Sequence, residues 1–240
     1  VINVTPDSFS GDGIDSNVDL AVKRAVEFEK QGCHILDIGG ESTRPSITYG
    51  KTSSTPIEVE ENRVIPAIKA ISESVAVPIS VDTYKASIAE KAIEAGASLV
   101  NDVWGFTKDS RMASVVSGRN LPVVLMHNQD HTFYTDMLND IINRLEELKN
   151  NAINEGVSES NIILDPGIGF GKTLEHNVEL LQKLSLFHGL GCPLLVGMSR
   201  KNFIAQLDRG QPTNHRLVGS IAASLWALSQ GCLLYTSPSP

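Results

Sequence analysis

The feature that most constrains this chain is a repeated unit. A short apolar run ends in a polar or glycine-rich turn, and a stretch with helical period usually follows. Val1-Ile2 ends at Asn3, Ile35-Leu36-Asp37-Ile38 ends at Gly39-Gly40, and Val77 to Val81 ends at Asp82. Leu99-Val100 ends at Asn101-Asp102, Val123 to Met126 ends at His127, and Ile162 to Leu164 ends at Asp165. Leu194 to Val196 ends at Gly197-Met198-Ser199, and Cys232-Leu233-Leu234 is a candidate eighth run.

The intervening stretches are mostly amphipathic. Tyr134, Leu138, Ile141, Leu145, Leu148 and Ala152 share one stripe of 3.6-residue period, and Val18, Val22, Ala25 and Glu29 share another. A third helix is expected from Ile57 to about Ser74, opened by Thr55-Pro56-Ile57-Glu58 as a capping box with proline at its first position. A fourth stripe collects Leu217, Ile221, Leu225 and Leu228. Apolar strands alternating with helices mean a parallel sheet covered by helices. A doubly wound open sheet is the rival of a closed barrel. Eight runs, with a polar residue at nearly every strand's C-terminal end, favour a (β/α)8 TIM barrel, incomplete at its last β/α unit.

Size and charge limit what such a barrel can do. The chain has 240 residues, 41% hydrophobic and 20% charged, which suits one folded domain. A formal net charge of -8 makes it a poor default binder of nucleic acid. Three cysteines, Cys33, Cys192 and Cys232, give an odd count without metal-ligand spacing, so a reducing, cytoplasmic home is expected. No basic-then-apolar leader opens the chain and no run approaches the length of a membrane span, so neither export nor a membrane partner is expected. The first residue is Val1 rather than Met, from which a missing start is expected.

Asp82, Asn101 and Asp165 carry the strongest chemical signal. Each closes a different strand, so all three should face one polar pocket. Carboxylates and an amide suit a donor-rich heterocycle, because a carboxylate accepts two N–H bonds side by side. Oxygen ligands for Mg²⁺, or plain strand-end caps, are the other readings. Arg200 and Lys201 follow strand seven, where many barrels bind phosphate, although solvated charges at a helix start would look the same. Gly39-Gly40-Glu41-Ser42-Thr43-Arg44-Pro45 is a turn that lets backbone approach a ligand, with Thr43 and Arg44 as a hydroxyl and an anion donor, or an ordinary βα loop. The stretch from Asn3 to Gly13 is a turn-rich connection or a lid carrying Phe9. Asp165-Pro166-Gly167-Ile168-Gly169-Phe170-Gly171-Lys172 lacks the first P-loop glycine, since Pro166 stands in its place. Its Phe170 can still lie against a flat ring. His127 and His131 do not make a zinc motif.

Together these segments resemble the dihydropteroate synthase family. Asn3 to Ser10, Gly39 to Pro45, Ser80 to Thr83, Asn101-Asp102, Asp165 to Lys172 and Gly197 to Lys201 look like its signatures, in its order, over roughly residues 1 to 234. The resemblance implies a transferase that joins p-aminobenzoate to 6-hydroxymethyl-7,8-dihydropterin diphosphate, releases pyrophosphate, needs Mg²⁺ and works as a homodimer. Sulfonamides are its expected competitors. Carried over, Asp82, Asn101, Asp165 and Lys201 are the catalytic pterin contacts. Met126, Phe170 and Gly197 line the same substrate site, and Thr43 and Arg44 meet substrate and phosphate. Phe9, Pro45, Lys201 and Asn202 border p-aminobenzoate, and Asn3 lies near the metal and diphosphate. The family usually has serine at the place of Asn202. Its lid acid is displaced by one position here, to Asp12.

After Gly231 the family's Arg-x-His-Asp segment and final helix give way to Cys232-Leu-Leu-Tyr-Thr-Ser-Pro-Ser-Pro240. The expected division is therefore a pterin-binding barrel at 1–231 and an aberrant, non-native tail at 232–240. Pro238 and Pro240 forbid a continuing helix. Such a chain should leave a barrel flank uncovered, fold poorly and have little activity. The alternatives are a pterin-binding remnant without diphosphate chemistry, a pterin-binding methyltransferase domain, and an aldolase using Lys201 as a Schiff-base amine.

Overall fold

A computed structural model of the chain describes residues 1–5, 17–42, 54–208 and 210–236. Strands β1 (Ile2–Asn3), β2 (Leu36–Gly39), β3 (Ile79–Asp82), β4 (Leu99–Asp102), β5 (Val123–Met126) and β6 (Ile162–Asp165) pair in parallel in chain order. A bridge from Leu164 to Leu194 leads to β7 (Leu195–Val196), which pairs in parallel with β8 (Leu234–Tyr235). Eight α-helices occur among the described residues. They are α1 (Val18–Lys30), α2 (Ile57–Ser72), α3 (Ala86–Glu94), α4 (Met112–Arg119), α5 (Met137–Asn154), α6 (Leu174–Gln182), α7 (Asn202–Leu207) and α8 (Leu217–Ser229). The eight apolar runs thus supply the eight strands, in the order of a TIM barrel.

Strand parity decides what faces the barrel axis. Leu36, Ile38, Ile79, Val81, Val100, Val123, Leu125, Ile162 and Leu164 belong to the helix-packed core, with Val64, Ile68, Ile88, Val116, Ile141 and Leu145. Successive strand side chains alternate faces. Asp37, Ser80, Asp82, Asn101, Val124, Met126, Ile163 and Asp165 are therefore turned to the interior. Apolar residues on the outer face hold the helices on. The inner face is left free for polar chemistry.

Helix ends show which local signals operate. Asn17 and Asp136 cap α1 and α5 through their side chains, and Thr173 forms a capping box with His176 at α6. The capping box expected at 55–58 does not form. Pro56 is the N-cap of α2, without a side-chain cap bond, because Thr55 is engaged elsewhere. Its N–H donates to Glu41 and its carbonyl accepts from Lys85.

A second departure concerns α8. The stripe Leu217, Ile221, Leu225 and Leu228 was the expected buried face, yet it faces solvent, with Leu225 61% exposed. Ser220, Ala223, Ser224 and Ala227 are buried instead. Small residues let the helix lie close to the barrel. A Cβ on Gly219 would stand 2.5 Å from Ile204 Cγ2, and the Ser220 hydroxyl takes the Arg200 N–H at 2.8 Å. Leu217, Val218, Ile221, Leu225 and Leu228 thus form an exposed apolar flank.

At the C-terminal end, Cys232 is fully buried and the Thr236 hydroxyl accepts from the N–H groups of Met198 and Ser199. Pro238 and Pro240 lie outside the described residues.

Candidate active site

The C-terminal ends of the strands gather the expected polar residues. Asp82 pairs in register with Asn101, Met126 with Asp165, and Asn3 with Gly39. Neighbouring strands lie about 4.8 Å apart, so Asp165, two strands beyond Asn101, lies about 10 Å across the floor. Gly197 follows β7 directly. Lys201 precedes α7, and Asn202 opens that helix, half-buried. Phe9, Thr43, Arg44 and Pro45, with Asp12, lie outside the described residues.

The left half of this floor accepts hydrogen bonds. Burial, then the charge of Asp37, pushes the Asp82 carboxyl well above its ordinary range. Its Oδ1 is buried and has no partner among the described residues. Such an acceptor is costly unless a donor arrives.

Asp37 is the residue that sequence reasoning passed over. It stands inside an apolar run rather than at its end, so it gave no strand-end signal. Parity alone could have found it, because it shares a face with Gly39. Its Oδ2 accepts the Asn101 amide N–H at 3.3 Å, and burial raises its carboxyl against the pull of neighbouring Ser80 and Asn101.

The right half carries positive charge. Lys201 donates to the Ile168 carbonyl, and its ammonium sits 4.7 Å from the centre of the Phe170 ring. Burial pulls it down to about 8, against the attraction of Asp165. Two glycines make room for it. A Cβ on Gly169 would lie 3.1 Å from Lys201 Cδ, and one on Gly197 would lie 3.1 Å from Lys201 Nζ. Asp165 is 5% exposed and accepts the Gly167 N–H at 2.7 Å. Burial raises its carboxyl, partly offset by Lys201.

A second lysine fastens the loop after β6. Buried Lys172 donates to the Phe170 carbonyl at 3.0 Å and meets His127 Nδ1 at 3.1 Å. Burial lowers Lys172 to about 7 and His127 to about 3, so this histidine is neutral near pH 7. Tyr134 adds a bond from its hydroxyl to the Gly171 carbonyl at 2.9 Å. The loops after β5 and β6 are thereby joined beneath Phe170. Among the described residues no group of three His, Cys, Asp or Glu side chains could hold a metal ion.

The arrangement is an acceptor wall on β3 and β4 facing a cation on the far side, with an aromatic ring at the rim. The family model for pterin-binding enzymes matches residues 1–235. The dihydropteroate synthase of Clostridium beijerinckii is 49% identical over 225 residues, which are 94% of this chain and 81% of that protein. The chain belongs to the dihydropteroate synthase family. A family member from Xanthomonas albilineans, solved with 4-aminobenzoic acid, superposes with a TM-score of 0.90 at 39% identity, over 98% of this chain and 84% of that one. The Yersinia pestis dihydropteroate synthase, solved with a sulfonamide drug complex, gives a TM-score of 0.92 at 36% identity, over 99% and 86%. These are folate-pathway transferases on a TIM barrel, the fold and activity that the motifs implied.

Proposed function

We propose that this chain condenses 6-hydroxymethyl-7,8-dihydropterin diphosphate with p-aminobenzoate to give 7,8-dihydropteroate and pyrophosphate. The observation that supports this reading is the half-buried pair Asp82 and Asn101, in register at the ends of β3 and β4, at the same barrel mouth as Lys201 and Asp165. A pterin ring offers several N–H donors and a carbonyl acceptor, and that pattern matches.

In this reading Asp82, Asn101 and Asp165 hold the ring's N–H groups, and Lys201 meets its acceptor edge. Met126 and Gly197 wall the ring, and Phe170 lies against a flat face. The bond between the pterin methylene and the diphosphate oxygen breaks, and pyrophosphate leaves with the electron pair. The arylamine nitrogen forms the new C–N bond and gives up a proton. Phe9, Thr43, Arg44, Pro45 and Asn202 are the proposed border of the p-aminobenzoate and phosphate end.

Mg²⁺ suits this donor set only as a companion of the substrate. Asn3 supplies one hard oxygen donor at the end of β1, and Mg²⁺ often keeps few protein ligands beside substrate phosphates. When bound, it takes up charge on the departing diphosphate. The division at residue 231 belongs to the same proposal.

Sulfonamides are proposed as competitors for the p-aminobenzoate end, as the drug complex of the Yersinia relative suggests. Three free thiols, Cys33, Cys192 and Cys232, agree with a reducing cytoplasm. The apolar face of α8 agrees with a homodimer. Among the described residues no helix is long and apolar enough to cross a membrane.

The test is pyrophosphate release from the pterin diphosphate with Mg²⁺, with and without p-aminobenzoate. Release that requires p-aminobenzoate and stops with Lys201→Met supports the proposal. Pterin binding without release would leave the remnant reading. Borohydride trapping of a carbonyl substrate on Lys201 would favour the aldolase.

A further inference from the structure

Three groups outside the expected site contain unusual chemistry. The Lys85–Glu41–Glu60 cluster joins Glu41, just after β2, to α2 and to the residues before α3. Lys172 with His127 serves the β6 loop. Asp37 lies inside the barrel beside Asn101, and it joins that residue of the proposed pterin floor to a buried atom, its own Oδ1, that has no partner among the described residues.

Asp37 pairs in register with Ser80, one layer below the pairing of Gly39 with Asp82. Asp82 in turn pairs with Asn101. Asn101 therefore starts on the layer of Asp82 and reaches down to Asp37, donating its amide N–H to Oδ2 at 3.3 Å. The absence of a side chain at Gly39 keeps that column open, since a Cβ there would already stand 3.4 Å from Asp82 Cβ. Once the amide nitrogen is engaged below, the Asn101 carbonyl oxygen is the end left to face a ligand. Without Asp37, the amide could turn over and offer a donor beside Asp82.

We infer that Asp37 is a positioning residue that fixes the Asn101 amide so that its carbonyl oxygen joins Asp82 in one acceptor surface for the N–H groups of a pterin-like ring. The inference rests on the pterin reading above. It adds that the β2–β4 wall selects ligands presenting adjacent N–H donors and rejects those presenting an acceptor there. Specificity of this kind follows because a mismatched polar group would be left buried and unpaired.

The experiment is a double-mutant cycle read by calorimetric titration with 6-hydroxymethylpterin, using Asp37→Ala, Asn101→Ala and the double variant, with thermal melts as folding controls. Asp37→Ala should weaken binding about tenfold, and the double variant should bind no worse than Asn101→Ala alone. Asp37→Asn retains an acceptor for the Asn101 N–H and should stay within about threefold of wild type. Additive losses, unchanged binding in Asp37→Ala, or a tenfold loss in Asp37→Asn would each overturn the inference. If Asp37→Ala does not fold, Asp37→Val, which fills the site without an acceptor, takes its place with the same expected loss and the same refuting results. A folded wild type that does not bind the pterin would sink the functional proposal instead, so the two failures are distinguishable.

Discussion

Lys85 places its ammonium 2.6 Å from Glu60 Oε2, and both side chains are buried. The same ammonium takes the Glu41 carboxylate and, at 2.6 Å, the Thr55 carbonyl, while Thr83 donates to the other Glu60 oxygen at 2.7 Å. Glu41 and Thr55 flank the long connection from β2 to α2, so one cation holds both of its stems. Removing that cation strands two carboxylates away from water. Lys85→Met should lower stability by about 3–5 kcal/mol, the usual cost of breaking a buried pair from one side. Urea unfolding measures it, and a change below about 1 kcal/mol would contradict the network's role.

Neutral His127 makes a pH prediction. Its folded value is lowered by burial from 6.5 to about 3, with Lys172 adding to the effect. A lowered value means that the unfolded chain binds the extra proton between those limits. The stabilisation is therefore full above the unfolded value and is lost as pH falls toward the folded one. Burial raises Asp37, Asp82 and Asp165 and acts in the opposite sense, so the variant comparison isolates the histidine. Between about pH 7 and 5, wild type should lose about 2 kcal/mol more stability than His127→Gln. Parallel pH curves for the two would refute it.

Asp82→Asn should trade function for stability. The raised carboxyl means that its ionised form is penalised in the fold. What Asp82 contributes is full below the ordinary carboxylate value and is lost as pH rises through the raised one. Near neutral pH the variant should be more stable than wild type, a gain that vanishes near the ordinary carboxylate value. Its pterin affinity should fall about tenfold or more. Thermal melts at both pH values, beside a binding titration, check both halves.

The strands and their polar ends were legible because periodicity and strand-end residues are local signals. Asp82, Asn101 and Asp165 could be read from where each apolar run stops. Asp37 was passed over because it stands inside its run rather than where the run stops, and only its parity with Gly39 marks it. The α8 stripe misled for a related reason. Helical period shows that Leu217, Ile221, Leu225 and Leu228 share a face, but not which face the barrel takes. The small residues Ser220, Ala223, Ser224 and Ala227 decided that by close approach. The expected cap at Thr55 failed because Lys85 and Glu41, distant in sequence, claim its backbone groups.

The exposed α8 stripe should drive self-association. Val218 is 78% exposed and Leu225 61%, on a helix whose buried face does not include them. The double substitution Val218→Glu with Leu225→Lys should reduce light scattering at a given concentration while leaving the melting temperature within about 2 °C. Unchanged scattering, or a large drop in melting temperature, would contradict the assignment of that face.

The central claim is that buried acceptors and one cation in this barrel mouth form a pterin site. Calorimetric titration of 6-hydroxymethylpterin into wild type and into Asp165→Asn tests it most directly. A hydrogen bond to a charged group is worth about 1.5–3 kcal/mol, so the variant should bind at least about tenfold more weakly while remaining folded. Equal affinity for the two, or no binding by a folded wild type, would contradict the account.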